Sequence, residues 1–477
     1  MVFQRNSTKA SPKRNSTSLR YLLDLDSRNN FSTNLFLSKN PEKQYQQHLI
    51  SEDEEILNLI SICSSTYTFT NPLESPSHQD FKRLKLMQLL SIIKTKKIQL
   101  SDEILPLLFK MVSSNLFRDL PAPPNNSSVL NYILPEEDEN IFATPAASWP
   151  HLQTVYQILL LLVTHQEPAS LRKYIDQSFL LNLLSTFQSE DPRERESLKN
   201  VFHRIYSTFT FYRAFMRKAM SDVFLQYIFE TMDNQRHSGI GDLLEIWGSI
   251  INGFAVPLKD EHKLCLKKMF IPLHKHKCMQ VYHKQLSYCI SQFVQKEPAL
   301  IEDIIKGVLR YWPVSNIQKE VLMIGEVEEL VENIDPEIYK KLALPLWTQI
   351  AKCLNSCNSQ VAERALYLWN NEQFVNMASQ AREKVFPIIV KCMEKNLKSH
   401  WSNSVRQSTE NVKGLLEESE PFLYSKCLLQ LESQESATQQ EEMRRKEKWG
   451  KIAEQAENIN QNSITSSLHP LMNALHL

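Results

Sequence analysis

Glycine is scarce in this chain, with 8 residues in 477. Tight hairpin turns draw on glycine's left-handed backbone freedom. Few segments show the strict two-residue alternation of a half-buried strand. Together these features predict an all-α protein. The hydrophobic content of 42% and the charged content of 23% are those of a globular chain. The formal net charge is zero, whereas generic nucleic-acid binding needs a basic footprint.

From residue 51 the text reads as helix after helix. Ser51-Glu52-Asp53-Glu54 has the form of a capping box, and Phe81 to Ile93 and Ser101 to Val112 are amphipathic. Pro106, Pro272, Pro345 and Pro387 recur in similar apolar contexts. Their intervals approximate four, two and one units of about 40 residues, the period of HEAT-type helix pairs. Each proline is expected to kink a first helix, with a second following; Val361 and Val405 fall in such second helices. The domain reading is a basic, Ser/Thr-rich, disordered tail over 1–50, a solenoid over 51–430, and a charged helix and tail over 431–477. No apolar core of signal-peptide length opens the chain. The longest apolar run, Ile158 to Val163, falls far short of the ~18 residues of a membrane span.

Four of the glycines, Gly239, Gly241, Gly248 and Gly253, cluster together. That clustering predicts a place where something approaches the backbone closely. Just upstream, Asp191-Pro192-Arg193-Glu194 reads as a helix start, with Asp as N-cap, Pro at the first helical position and Glu three residues after the cap, as in a capping box. If one helix runs on, Lys199, His203, Tyr206, Thr210, Arg213 and Arg217 share a face. Residues 191–220 hold seven Lys/Arg against three acids. Such a face suits an anionic, partly apolar ligand, because arginine grips carboxylate or phosphate through paired hydrogen bonds; a solvated helix face is the plainer alternative. Ile246, Ile250 and Gly253 share another face, with Lys259 and His262 close after. They read either as the floor of an apolar pocket rimmed by cations or as ordinary core.

Ser113 to Pro150 interrupts the helices. It holds Pro121-Ala122-Pro123-Pro124 and the acidic run Glu136-Glu137-Asp138-Glu139. His274, His276, Cys278 and His283 match no tetrahedral zinc spacing, so they read as structural, and no metal or cofactor is expected. Eight scattered cysteines read as reduced thiols. The chain shows no Gly-x-Ser-x-Gly, His-Glu-x-x-His, P-loop or dinucleotide glycine motif, so no catalytic activity is expected. Near the end, Glu441 to Trp449 reads as a solvated charged helix docked by Trp449, with Arg444-Arg445-Lys446 as a weak nuclear-localisation signal.

Several long runs in register resemble the B-prime regulatory subunit family of protein phosphatase 2A. They include Ser189-Glu190-Asp191-Pro192-Arg193-Glu194-Arg195-Glu196, His203-Arg204-Ile205-Tyr206 and Gly248-Ser249-Ile250-Ile251-Asn252-Gly253-Phe254-Ala255. Others are Glu261-His262-Lys263, Trp149-Pro150-His151-Leu152-Gln153, Tyr311-Trp312-Pro313 and Gln360-Val361-Ala362-Glu363-Arg364-Ala365-Leu366. The similarity spans roughly 54–430. It implies a curved stack of HEAT-like repeats and assembly with the 2A scaffold and catalytic subunits, the phosphatase activity residing in the partner. It further implies a groove for substrate proteins bearing Leu-x-x-Ile-x-Glu motifs. By that resemblance Ile246, Ile250 and the His262 ring hold the motif's Leu. Tyr206 and the Arg213 stem wall the Ile pocket, and His203 and Arg204 meet the Glu. Lys259, with Arg213 and His262, favours an acidic residue in between. Glu136, Glu137, Asp138 and Glu139 would face the phosphatase or the protein's own basic surface. Trp247 departs from the smaller aliphatic expected there. The reduced thiols place the chain in the cytoplasm, with the nucleus open as a second location. Neither nucleic acid nor membrane insertion is expected. The alternative is a HEAT-type adaptor unrelated to phosphatases.

Overall fold

The computed structural model describes residues 52–67, 69, 75–96, 100–120, 148–229, 239–332 and 334–473. The tail at 1–50 and the acidic run Glu136 to Glu139 lie outside the described residues. Every regular element among the described residues is helical.

The chain threads two layers of helices, alternating between them. The first layer holds α1 (Glu52–Cys63), α3 (Ile104–Leu116), α5 (Gln177–Thr186), α7 (Arg213–Phe229), α9 (Asp260–Cys265), α11 (Ile301–Arg310), α13 (Pro336–Leu354), α16 (Arg382–Ser399) and α18 (Pro421–Asn473). The second holds α2 (Pro76–Lys96), α4 (Trp149–His165), α6 (Pro192–Thr208), α8 (Ile240–Asn252), α10 (Met279–Lys296), α12 (Ile317–Val331), α14 (Ser359–Tyr367) and α17 (Asn403–Ser419). The short α15 (Glu372–Ser379) packs under α12. Within each layer a helix touches the one before and the one after. That nearest-neighbour stacking is the solenoid the repeat period predicts.

The core is the seam between the layers. It runs unbroken from Ile56 in α1 to Cys427 in α18. Trp347, fully buried, packs between Trp369 and Phe374, with both ring centroids at 5.4 Å.

All four repeat prolines stand on first-layer helices, but they do not act alike. Pro345 and Pro387 lie inside α13 and α16 with exposed rings. Pro106 sits in the first turn of α3, where its missing N–H forfeits no bond. Before Pro272, α9 passes through a π-helical turn, Leu266–Phe270, and ends at Ile271–Leu273. Wider turns of this kind relieve an interrupted hydrogen-bond ladder. Val361 and Val405 lie in α14 and α17 and are completely buried.

The last helix, α18, runs past residue 430 as one piece. Residues 432–457 are exposed throughout, and Trp449 is 67% exposed. Trp449 therefore does not dock this helix on the solenoid. The anchors are Tyr424 and Cys427, both buried in its first two turns.

Candidate functional site

The site is built where α6 ends, α7 begins, α8 ends and α9 begins. Asp191 caps α6 by accepting from the Arg193 backbone N–H at 2.9 Å, with Pro192 as the first helical residue. Glu194 does not complete a capping box. It is buried and accepts from both Arg118 terminal nitrogens at 2.8 Å, from the Tyr156 hydroxyl at 3.1 Å and from Ser189 Oγ at 2.5 Å. This knot ties the end of α3 and the middle of α4 to the start of α6, fixing the helix that carries His203 and Arg204.

One continuous basic face does not form. Helix α6 stops at Thr208, a single 3-10 turn covers Thr210–Tyr212, and α7 starts at Arg213. The chain reverses between layers here. Arg213 folds back across the reversal, donating from Nε to the Tyr206 carbonyl at 3.0 Å and from Nη2 to the Ser207 carbonyl at 2.9 Å. Its guanidinium also lies 5.5 Å from the Tyr206 ring centroid. These bonds satisfy carbonyls that the end of α6 leaves open. Arg217, one turn further along α7, donates to the Tyr206 hydroxyl at 3.1 Å.

Part of the positive charge counted along α6 is already matched. Arg195 bonds Asp242 at 2.8 Å, and Lys199 bonds Glu245 at 2.5 Å. These pairs set α6 and α8 side by side in register. Burial and the adjacent Arg204 cation push the His203 imidazole below its ordinary pKa.

Ile246 and Ile250 are 1% and 5% exposed. They belong to the core and can offer a ligand only a floor. Trp247 points into the same core, edge-on to Phe270 with centroids 5.6 Å apart, and its buried indole N–H has no partner. The glycine cluster also serves packing. A methyl group on Gly248 would lie 2.8 Å from the Tyr288 ring of α10, and one on Gly239 would lie 2.3 Å from the Phe187 carbonyl oxygen. What approaches the backbone closely at these two positions is the protein itself.

His262, in the first turn of α9, is 8% exposed and stacks flat on Phe254, centroids 3.6 Å apart and planes within 2°. Its Nδ1 is buried without a partner, and so is Nε of Arg204. Burial depresses the His262 pKa; Glu261 opposes that shift, while Arg217 and Lys259 reinforce it. Lys259 itself is exposed just before α9. The structure thus gathers Tyr206, Arg213, Arg217, His262 and Lys259 into one cationic neighbourhood, with Arg204 and His203 on the last turns of α6. Two participants are outside the groove residues that the resemblance implies, Arg217 and Phe254. Arg217 is marked only by its step of four from Arg213, and Phe254 only by following Gly253.

The histidines read as structural have definite partners. Buried Glu326 of α12 accepts from His274 Nε2 at 3.1 Å and from His283 Nε2 at 2.8 Å. His276 Nδ1 lies 2.8 Å from the Tyr227 hydroxyl. All eight cysteines are unpaired.

A pocket of about 710 Å³ lies away from this neighbourhood, between α5, α7 and the start of α8, lined by Leu181, Phe187, Phe215 and Val223 among others. None of the expected site residues lines it.

The family model of the protein phosphatase 2A regulatory B subunit (B56 family) matches residues 36–456. This chain belongs to that family. The B' beta isoform of the 57 kDa regulatory subunit of serine/threonine protein phosphatase 2A from Arabidopsis thaliana is 44% identical over 410 residues, covering 85% of this chain and 81% of that protein. The B' eta isoform from the same plant is 42% identical over 83% of this chain and 77% of its own length. The B' kappa isoform from Oryza sativa subsp. japonica is 40% identical over 82% and 76%. Membership of a family of phosphatase regulatory subunits removes the reading of a helical-repeat adaptor unrelated to phosphatases.

Proposed function

We propose that this chain is the non-catalytic, substrate-selecting member of a protein phosphatase 2A heterotrimer, binding scaffold and catalytic subunits and working in the cytoplasm, with the nucleus open as a second location. Its groove, at the ends of α6 and α8 and the starts of α7 and α9, takes Leu-x-x-Ile-x-Glu segments of substrate proteins. The observation that supports this reading is the pair of buried, unpartnered nitrogens, Arg204 Nε and His262 Nδ1. A buried polar group without a partner is costly, and an arriving acidic peptide supplies acceptors for both. The stacked pair Phe254–His262 gives an apolar wall beside the Ile250 floor, suited to the motif's Leu. Tyr206, held between Arg213 and Arg217, gives a second wall for its Ile.

Two aliphatic anchors contribute roughly 1.5–3 kcal/mol each, and a charge-assisted carboxylate contact roughly 1.5–3. Ordering the peptide subtracts from this total. The remainder lies between millimolar and micromolar affinity, about 4–8 kcal/mol, which fits substrates that exchange.

The test is a fluorescence-anisotropy titration with a Leu-x-x-Ile-x-Glu peptide and its double-Ala counterpart. Binding in that range that vanishes in the counterpart, and in the Arg204→Ala variant while the trimer still assembles, is the expected result. Unchanged peptide affinity in Arg204→Ala would refute the assignment of the groove.

A further inference from the structure

The outward face of the first layer is basic on the two adjacent helices α13 and α16, and neither the fold nor the groove uses it. On α13 the buried positions are Tyr339, Leu342, Ala343, Leu346, Trp347 and Ile350, so Glu337, Lys341, Leu344, Pro345, Thr348 and Lys352 form the exposed stripe, with Glu337 matched by Lys340 at 2.8 Å. On α16 the corresponding stripe is Lys384, Pro387, Lys391, Lys395 and Lys398. The α9 segment adds Lys267 and Lys268, and α11 adds Lys306 and Arg310. Each of these helices packs beside the next, so the stripes form one surface.

Some of this charge is neutralised locally, by Lys267–Asp303 at 2.7 Å and Lys306–Glu302 at 2.6 Å. Among the described residues, Lys268, Lys341, Lys352, Lys384, Lys391 and Lys395 have no acidic partner within ion-pair distance. The second layer of the same repeats is the counterpart, exposing Glu332 at the end of α12 and Glu410, Glu417 and Glu418 on α17. A net charge of zero is thus compatible with a local basic face.

We propose that this first-layer face docks on an anionic phospholipid surface. Lysine is a flexible point charge that needs no fixed acceptor geometry, and clustered lysines are drawn to anionic leaflets. The apolar groups among them, Leu344 at 51% exposure with Pro345 and Pro387 beside the lysines, can enter the headgroup region. Nucleic acid is the poorer fit. The two arginines of these helices are engaged, Arg310 over the Tyr311 ring at 5.9 Å and Arg382 with Glu420, and the stripes carry no aromatic platform for bases. The proposal is independent of the peptide groove.

The experiment is vesicle co-sedimentation of the full chain, with phosphatidylcholine alone and with phosphatidylcholine mixed with phosphatidylserine. Binding to the mixed vesicles only, weakening with salt, is expected. At about 1 kcal/mol for each lysine near such a surface, Lys384→Gln/Lys391→Gln/Lys395→Gln should bind about 100-fold more weakly. Its melting temperature and its affinity for the motif peptide should be unchanged, since all three side chains are exposed. Equal sedimentation with both vesicle types, or an unaffected triple variant, would overturn the proposal. So would a duplex DNA or RNA that competes the chain off the vesicles at lower concentration than free phosphatidylserine vesicles do.

Discussion

Gly239 and Gly248 meet different neighbours, and substitution should separate them. A methyl group at Gly239 collides with the Phe187 backbone, at 2.3 Å from its oxygen and 2.9 Å from its carbonyl carbon. Backbone cannot step aside, so Gly239→Ala is expected to cost about 1–3 kcal/mol. At Gly248 the obstacle is the Tyr288 ring at 2.8 Å; Tyr288 is 47% exposed, so its ring can swing outward, giving up only the bond its hydroxyl accepts from Asn252 Nδ2 at 3.0 Å. Alanine also favours the helix by about 1 kcal/mol over glycine. Gly248→Ala should therefore change stability by less than about 1 kcal/mol, and urea unfolding of the two variants tests the contrast. The cluster itself was legible in sequence as a site of close approach. Its cause was not, because Phe187 and Tyr288 come from other helices. The same limit applies to Ile246 and Ile250, where spacing left floor and core open and burial places them in the core. At His203 and His262 the depressed pKa values leave both rings neutral near neutral pH. A bound carboxylate would raise them again, so motif-peptide affinity is expected to rise as pH falls from 7.5 toward the free-protein values, below about 6.5. Anisotropy titrations across that range, with His262→Gln flattening the slope, are the check.

At the scale of elements, two buried carboxylates hold helices together. Glu194 joins α3, α4 and α6. Glu326 joins α12 to the end of the α9 segment and to α10. Glu326 is held far below the ordinary carboxylate range: burial alone would raise it, and His274 with His283 overcomes that. The His274 pKa is raised in turn, the Glu326 carboxylate outweighing the penalty of burial. The signs differ. The raised His274 contributes stability that is whole below its unfolded value of about 6.5 and is lost as pH climbs through its folded value. The depressed Glu326 contributes stability present above the unfolded carboxylate pKa and lost only in strong acid. Melting temperature should therefore decline from neutral into alkaline pH, and His274→Gln should remove that dependence. Glu326→Gln keeps one acceptor oxygen but removes the negative charge and sets an NH2 donor against the other imidazole, and is expected to cost about 3–5 kcal/mol, measurable in urea. Neither carboxylate announced this role in sequence. Glu194 resembled half of a capping box, and Glu326 was one more acid in an amphipathic run. The helix start at Asp191-Pro192 was legible because capping is local chemistry. The reversal after Thr208 was not, because periodicity alone does not show where a solenoid helix must cross to the other layer.

For the whole molecule, the repeat was readable from glycine scarcity and from prolines at multiples of one period, since stacking forces each unit to repeat the same apolar seam. What periodicity could not supply was where packing ends. Helix α18 continues as one rod, but burial stops near Leu431, and the only ion pair from its exposed part to the solenoid among the described residues is Glu435–Lys398 at 3.3 Å. An exposed ion pair of this kind contributes little, and a helix without a packed face is marginal in water. Ending the chain after residue 431 should thus leave unfolding free energy within about 0.5 kcal/mol of the full chain. Ending it after 420 removes Tyr424 and Cys427, which close the last repeat over α16 and α17, and leaves an apolar solenoid end facing water. That shorter chain should lose several kcal/mol, roughly 1.5–3 for each large buried side chain removed, and should aggregate. Comparing the two truncations by urea unfolding and gel filtration locates the end of the cooperative unit. Equal stability of both would mean that α18 caps nothing, and a drop in the longer one would mean that its exposed helix packs on the solenoid after all.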